Sequence, residues 1–263
     1  MISPNNKDIE DAKEYLRQRL NAELSIQHNL DVAMDKAAKD VVAISFKYTI
    51  PASQFKFSAN KDMKLEIDKV LSDLKNQIED YTETLAVSTH HDDKSNILVY
   101  INRDISEKNM TERIEDYTAR YGKELEIAIA AGIVMGLSQS KIVSGIKTWR
   151  SSPFGNTSIL VAEKRGYDLK TRLDVVTTFG VGRTVSSYTA LNTLSRNTVA
   201  EGWMEYYVGK AIKDGAIGFM SYRGSRYPCQ LCDDETAYLH KFKLDPYPPY
   251  HPRCCCYIVP IYE

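Results

Sequence analysis

The sequence predicts a mainly α protein that ends in a small C-terminal β hairpin module. Two observations predict that division. Apolar residues recur at helical spacing, with few breakers, over most of the chain up to Gly215. From Ala216 the texture changes to short strand-like runs, IGFMSYRGSRYPC and, at 256–262, CYIVPIY. A third observation concerns what holds so short a β unit together. All five cysteines lie in this last part, as Cys229, Cys232, Cys254, Cys255 and Cys256, with His251 just ahead of the second group.

The elements follow in order. From Asp8 to about Ala43, Ile9, Ala12, Leu16, Leu20 and Leu24 fall at helical spacing. FKYTIPASQFKF, at 46–57, is a Pro-interrupted aromatic connector. A second helix carries Met63, Ile67, Val70, Leu71, Leu74, Ile78, Tyr81 and Leu85 on one face. Polar THHDDKSN reads as a solvated loop, with His90 and His91 beside Asp92 and Asp93 as a weaker metal alternative. ILVYI at 97–101 reads as a short strand. Helices are expected at about 109–136 and 138–149, the second capped by Ser138. Ala128, Ala130, Ala131, Gly132 and Gly136 suit close contact with another helix. RSSPFGNTS at 150–158 is a loop. A helix at 168–178 precedes FGVGRT, 179–184, which lacks the G-K-[ST] ending of a phosphate loop and reads as a glycine turn. Two further helices run from Val185 to Leu194 and from Arg196 to Lys213, the latter with Trp203, Tyr206 and Tyr207 and an end near Gly215. These shifts divide the chain into an N-terminal helical region, 1–104, a helical core, 105–215, and the β module, 216–263.

The cysteines spell a metal-ligand pattern, C-x2-C followed by H-x2-C. Thiolates and one imidazole suit a tetrahedral zinc ion. Cys229, Cys232 and His251 are three expected ligands. Cys254 is favoured as the fourth by its x2 spacing, with Cys256 the alternative because it shares a side of an extended chain with Cys254. Disulfides are the rival reading, but a disulfide framework would spread its cysteines, and none precedes Cys229. Pro228-Cys229-x2-Cys232 matches half of a zinc deaminase signature. The H-x-E half is missing: two positions after His28, His90 and His91 stand Leu30, Asp92 and Asp93. Four protein ligands make a closed site, so the expected zinc is structural and clamps the β module.

Composition is that of an ordinary globular chain, 43% hydrophobic and 26% charged over 263 residues. The polar start MISPNNKDIEDAKEY shows no signal peptide, and reduced cysteines point to the cytoplasm or a particle assembled there. The longest apolar run, Ile127 to Leu137, is too short to span a bilayer, so no membrane partner is expected. Net charge is −1 overall but −6 over 1–140, +6 over 141–200 and −1 over 201–263. The basic segment could contact nucleic acid or pair with the acidic part of the same or a neighbouring subunit.

With these residues in place, the run from Asn192 to Pro260 resembles the C-terminal half of the phage Mu F-like head morphogenesis proteins, also called minor head or minor capsid proteins. That family pattern has Arg-x-Thr on a helix, an aromatic on a strand, C-x2-C, and a proline-rich approach to H-P-x-C-x-C. This chain offers Arg196-Asn197-Thr198, Tyr222, Cys229-x2-Cys232 and Pro248-Pro249-Tyr250-His251-Pro252-Arg253-Cys254-Cys255-Cys256. The FGVGRT turn also looks like the family's glycine-arginine turn. Two departures stand out: Cys255 where the family has arginine, and Val199 where it has glutamate. The resemblance is firm from about Phe179 onward and does not reach the N-terminal helical region.

The resemblance implies a structural phage or prophage protein of the virion capsid, assembled in the bacterial cytoplasm, that works with portal and major capsid proteins in head morphogenesis. Contact with DNA and self-association are compatible with it. A zinc-containing nucleic-acid-binding protein is the main alternative, and a toxin or enzyme related to head-protein fusions a lesser one. No nucleophile motif, H-E-x2-H or Walker lysine is present, so no catalytic residue and no enzyme activity is expected.

Overall fold

The apolar stripes become eight α-helices among the residues described by this computed structural model, which are 4–88, 90–169, 186–236 and 238–262. They are α1 (Asn6–Ser45), α2 (Lys61–Val87), α3 (Lys94–Ile101), α4 (Met110–Val134), α5 (Gln139–Trp149), α6 (Thr157–Lys164), α7 (Ser187–Lys213) and α8 (Gln230–Asp234). Three short strands, β1 (Gly218–Tyr222), β2 (Leu239–His240) and β3 (Tyr257–Ile261), complete the elements.

Helix boundaries follow the side chains that can satisfy free backbone N–H groups. Asn60 Oδ1 accepts from the N–H of Asp62 and Met63 at 2.9 and 3.0 Å and starts α2. Ser138 caps α5 through Lys141 N–H, and Asn156 caps α6 through Ser158 N–H. α1 runs 40 residues because it contains no glycine or proline. The connector after it makes two 3-10 turns, Ala52–Gln54 and Phe57–Ala59, that bury Phe55 and Phe57.

Three expectations are corrected. Residues 97–101 are helical, not a strand: Ile97 and Ile101, four apart, are both buried while Val99 is 76% exposed, a helical period and not an alternation. The two helices expected over 185–213 are one, because Ser195 is packed at 0% exposure in α7 and breaks nothing. The hairpin is a three-stranded antiparallel sheet of order β2-β1-β3, in which Phe219 faces His240 on one side and Pro260 on the other. The helix read at 168–178 lies largely, and the glycine turn at 179–184 wholly, outside the described residues.

The chain forms two compact units, each built from several stretches. One comprises Met1–His28, Asp80–Met110 and Thr193–Glu263. Its helical part is an aromatic core. Tyr15 donates its hydroxyl to the Trp203 carbonyl at 2.6 Å, and Trp203 Nε1–H donates to the Leu85 carbonyl at 2.8 Å. α7 approaches α2 and α3 closely at Gly202, where a Cβ would lie 3.0 Å from that of Ala86 and 3.2 Å from Ile97 Cγ2. The sheet packs its β3 residues Tyr257 and Val259 on Ala12 and Leu16 of α1.

The other unit comprises Asn29–Glu79 and Thr111–Asn192. Its core includes the small residues Ala128, Ala130 and Ala131 of α4. Lys147 and Arg150 of the basic segment pair with Asp35 and Asp31 of α1 at 2.7 and 3.0 Å. No helix among the described residues is long and apolar enough to cross a membrane.

Candidate metal centre

Two tight turns carry the expected ligands. Cys229 stands just before α8, and its carbonyl accepts the Asp233 N–H at 2.9 Å, so the x2 spacing sets Cys232 in the first helical turn. Arg223 braces this turn: its guanidinium reaches the Asp233 carboxylate and the Tyr227 carbonyl, and the Cys229 carbonyl at 3.5 Å. In the second turn the Cys254 N–H donates to the His251 carbonyl at 3.1 Å, with Arg253 at φ 64° between them. Tyr250 anchors that turn to β1 by donating its hydroxyl to Ser221 Oγ at 2.9 Å.

The donors converge as two sets that share one sulfur. Cys229, Cys232 and His251 form the first, with His251 Nε2 3.3 Å from Cys229 Sγ and 3.0 Å from Cys232 Sγ. Cys232, Cys254 and Cys256 form the second, with Cys232 Sγ 3.8 Å from Cys254 Sγ. His251 Nδ1–H donates to the Pro252 carbonyl at 2.9 Å, which leaves Nε2 with a lone pair toward the sulfurs. Cys255 turns away, its thiol toward the Arg253 carbonyl at 3.7 Å. Of the expected ligands, the structure thus groups Cys229 and His251 with Cys232, and groups Cys254 and Cys256 with the same Cys232.

Electrostatics separate the thiols. Cys254 accepts from the Cys256 thiol and from backbone N–H groups, including that of Cys256 at 3.4 Å, and its pKa falls to about 5 despite burial. Donation to Cys254, with burial, pushes Cys256 up. Burial drives Cys232 up to about 12. A thiolate therefore forms most readily at Cys254.

One sulfur pair has the spacing of a metal site. With metal–sulfur bonds of about 2.3 Å, sulfurs of a tetrahedral site stand about 3.8 Å apart, and the Cys232 to Cys254 separation is 3.8 Å. The Cys/His group could hold a metal ion.

Two of the remaining histidines do other work. His240, fully buried, stacks on Phe219 and donates to the Glu235 carbonyl at 3.0 Å. His90 is not in a solvated loop: it is 2% exposed, stacked on Tyr206 at 3.8 Å and 3.2 Å from the Tyr15 hydroxyl. Burial inside the aromatic core overrides the polar sequence around it.

Sequence reading missed two residues and one close approach at the site. Arg19 and Glu23 of α1 are 0% and 2% exposed, and Arg19 Nη2 donates to the Cys254 carbonyl at 2.7 Å. Their signal was present: Ala12, Leu16, Arg19, Glu23, Ile26 and Leu30 keep an unbroken 4-3-4-3-4 spacing, with a charged pair inside an apolar stripe. Gly224 faces the Cys255 carbonyl so closely that a Cβ there would overlap it. No protein-family model, no curated protein and no solved structure matches the chain.

Proposed function

We propose that the chain is a structural minor head protein of a phage or prophage, with a C-terminal module clamped by zinc at Cys229, Cys232, His251 and Cys254. The observation that carries the reading is that two motifs well separated in the chain, C-x2-C and H-P-x-C-x-C, converge as two donor groups that share Cys232. Those motifs, in that order, are the ones by which the sequence resembles the head morphogenesis proteins. The Arg-x-Thr motif acquires a role consistent with it: Arg196 binds Glu23 at 3.2 Å and Gln27 at 3.3 Å, tying α7 to α1. Val199, at the position where the family has glutamate, is buried at 0% exposure, as its side chain requires.

With four protein donors the ion has no open position for water, which is the condition of a structural site. Zinc supplies folding energy to a three-stranded sheet too small to stand alone. Portal and major capsid proteins are the proposed partners. The test is copurification: expressed with its neighbouring phage genes, the protein should travel with portal or capsid particles through a sizing column. Clean separation from purified particles would count against the head reading.

A nucleic-acid contact is the second reading, favoured by exposed Arg226, Tyr227 and Arg253 next to the cluster. Against it, Lys147, Arg150 and Arg196 of the basic segment are already paired with carboxylates. Binding to single-stranded DNA that weakens steeply with salt would favour it; salt-insensitive or absent binding removes it.

A further inference from the structure

We propose that Arg19 is a positioning residue of the metal centre, and that metal uptake is thereby linked to docking of the first part of α1. The inference rests on the metal reading above. It concerns a contact between residues 235 positions apart in the chain.

Arg19 has no exposed surface, and burying a guanidinium is costly unless its donors are used. One donor is used in a hydrogen bond, Nη2 to the Cys254 carbonyl at 2.7 Å; Nε lies 3.4 Å from Glu23 Oε1 as an ion pair, and neither Nε nor Nη1 makes a hydrogen bond. Glu23 Oε2 in turn takes Arg196 Nη2 at 3.2 Å, and Arg196 Nη1 donates to Gln27. A continuous line of charge thus runs from Arg196 on α7 through Glu23 and Arg19 on α1 to the backbone of a metal ligand. A rigid planar fork is suited to hold two partners at fixed angles; lysine, a single point charge, is not.

The carbonyl that Arg19 holds belongs to Cys254 itself. Its orientation sets the peptide plane between Cys254 and Cys255, and the next N–H but one, that of Cys256, donates to Cys254 Sγ. Without Arg19 this run is free to rotate and the sulfur loses its aim. Leu16 and Ala12, one and two turns earlier on the same helix, pack on Tyr257 and Val259 immediately after the cysteines. Whatever orders the 254–256 run therefore also orders the surface on which α1 docks. By linkage, if the docked helix strengthens metal binding by some factor, metal strengthens docking by the same factor.

The test uses the full chain. Zinc affinity is measured by chelator competition for the unaltered protein, Arg19→Met and Arg19→Lys, and amide hydrogen exchange is followed over residues 6–28 with zinc loaded and after chelation. Arg19→Met should bind zinc about 10- to 100-fold more weakly, the range for loss of a residue that orients a ligand. Arg19→Lys should fall between the two. Chelation should speed exchange over residues 12–28 of the unaltered protein by about tenfold or more, reading the same linkage from the other end. A purely architectural Arg19 would lower stability in loaded and chelated protein alike and leave zinc affinity unchanged. Unchanged affinity in Arg19→Met, or unchanged exchange on chelation, overturns the linkage. Should Arg19→Met fail to fold, the exchange measurement decides alone. If the unaltered protein takes up no zinc, the metal reading falls and the linkage with it; zinc bound tightly but independently of Arg19 sinks only the linkage.

Discussion

Gly224→Ala tests whether the metal turns are as tightly built as they look. The residue joins β1 to the first cysteine turn, and a Cβ there would stand 2.8 Å from Leu16 Cδ2 and 3.0 Å from the Cys255 carbonyl carbon, with the carbonyl oxygen nearer still. The oxygen, the nearest atom, sets the demand: an ordinary C···O contact is about 3.2 Å, so the Cys255 peptide has to retreat by more than about 1 Å. Leu16 can rotate, but the Cys255 peptide sits between two cysteines of the cluster and cannot move alone. Overpacking of this kind costs about 1–3 kcal/mol. For a chain of this size that is roughly 3–10 °C in Tm, and the displaced ligand should also weaken zinc binding. Gly209→Ala is the control: nothing lies within 4 Å of a Cβ at that position in α7, and alanine gains roughly 1 kcal/mol of helix propensity over glycine. The two substitutions should move Tm in opposite directions in parallel thermal melts. Gly224→Ala melting within about 1 °C of the unaltered protein, with zinc affinity intact, would refute the close approach.

Three further outcomes are expected. Metal analysis should find stoichiometric zinc that is lost in Cys229→Ser, Cys232→Ser and His251→Gln but kept in Cys255→Ser, because the Cys255 thiol faces the Arg253 carbonyl; zinc lost with Cys255 instead would redraw the site. Burial raises the Glu124 pKa from 4.5 to about 7, although its Oε1 accepts both the N–H and the hydroxyl of Ser187. Between those values the folded state holds a proton that the unfolded state has released, so stability falls as pH rises from about 4.5 to 7, by on the order of a few kcal/mol. Glu124→Gln should therefore gain stability over the unaltered protein at pH 8 and not at pH 4, read by urea unfolding; equal stability at pH 8 would count against it. Trp203→Phe removes the hydrogen bond to the Leu85 carbonyl, which the Ser88 hydroxyl also reaches, at the longer distance of 3.3 Å. The expected cost by denaturant melt is about 1 kcal/mol; no measurable loss would show that the Ser88 hydroxyl suffices.

What was legible in the sequence was what is local. The cap at Ser138, the apolar face of α2 and the approach of Cys229 to Cys232 each depend on residues within a turn or two of one another, and each is found in the structure. The α1 stripe read by steps of four, Leu16 to Leu20 to Leu24, fails at Leu24, which is 59% exposed. Four residues advance a helix by more than one turn, so such a run drifts round the cylinder, whereas the alternating three-and-four series through Arg19 and Glu23 stays on the buried face. That series is easily passed over because charged residues are rarely interior. They are tolerated here only because Cys254 and Arg196, far along the chain, supply their partners. The same limit explains β2: Leu239 and His240 carry no strand pattern of their own and pair only because β1 lies beside them.

The choice of fourth ligand turns on backbone chemistry more than on spacing. Cys254 and Cys256 both reach Cys232, so proximity alone does not separate them. Their surroundings do. The sulfur of Cys254 receives an N–H from the chain beyond it, its own N–H closes the turn back to His251, and its carbonyl is held by Arg19. The first two contacts hold the residue on the same turn as His251, and the N–H donation favours a charged sulfur. Cys256 has the opposite character: it gives its N–H and thiol to Cys254 and leads directly into β3, where Tyr257 pairs with Tyr222. A residue that donates to the thiolate and starts a strand is suited to support the ligand. These relations argue for Cys254 on the metal and Cys256 behind it. Cys256→Ala should then retain stoichiometric zinc with affinity reduced about 10- to 100-fold, as for other groups that orient a ligand, while Cys254→Ala should lose the metal outright. The reverse result from the same chelator competition would assign the site to Cys256.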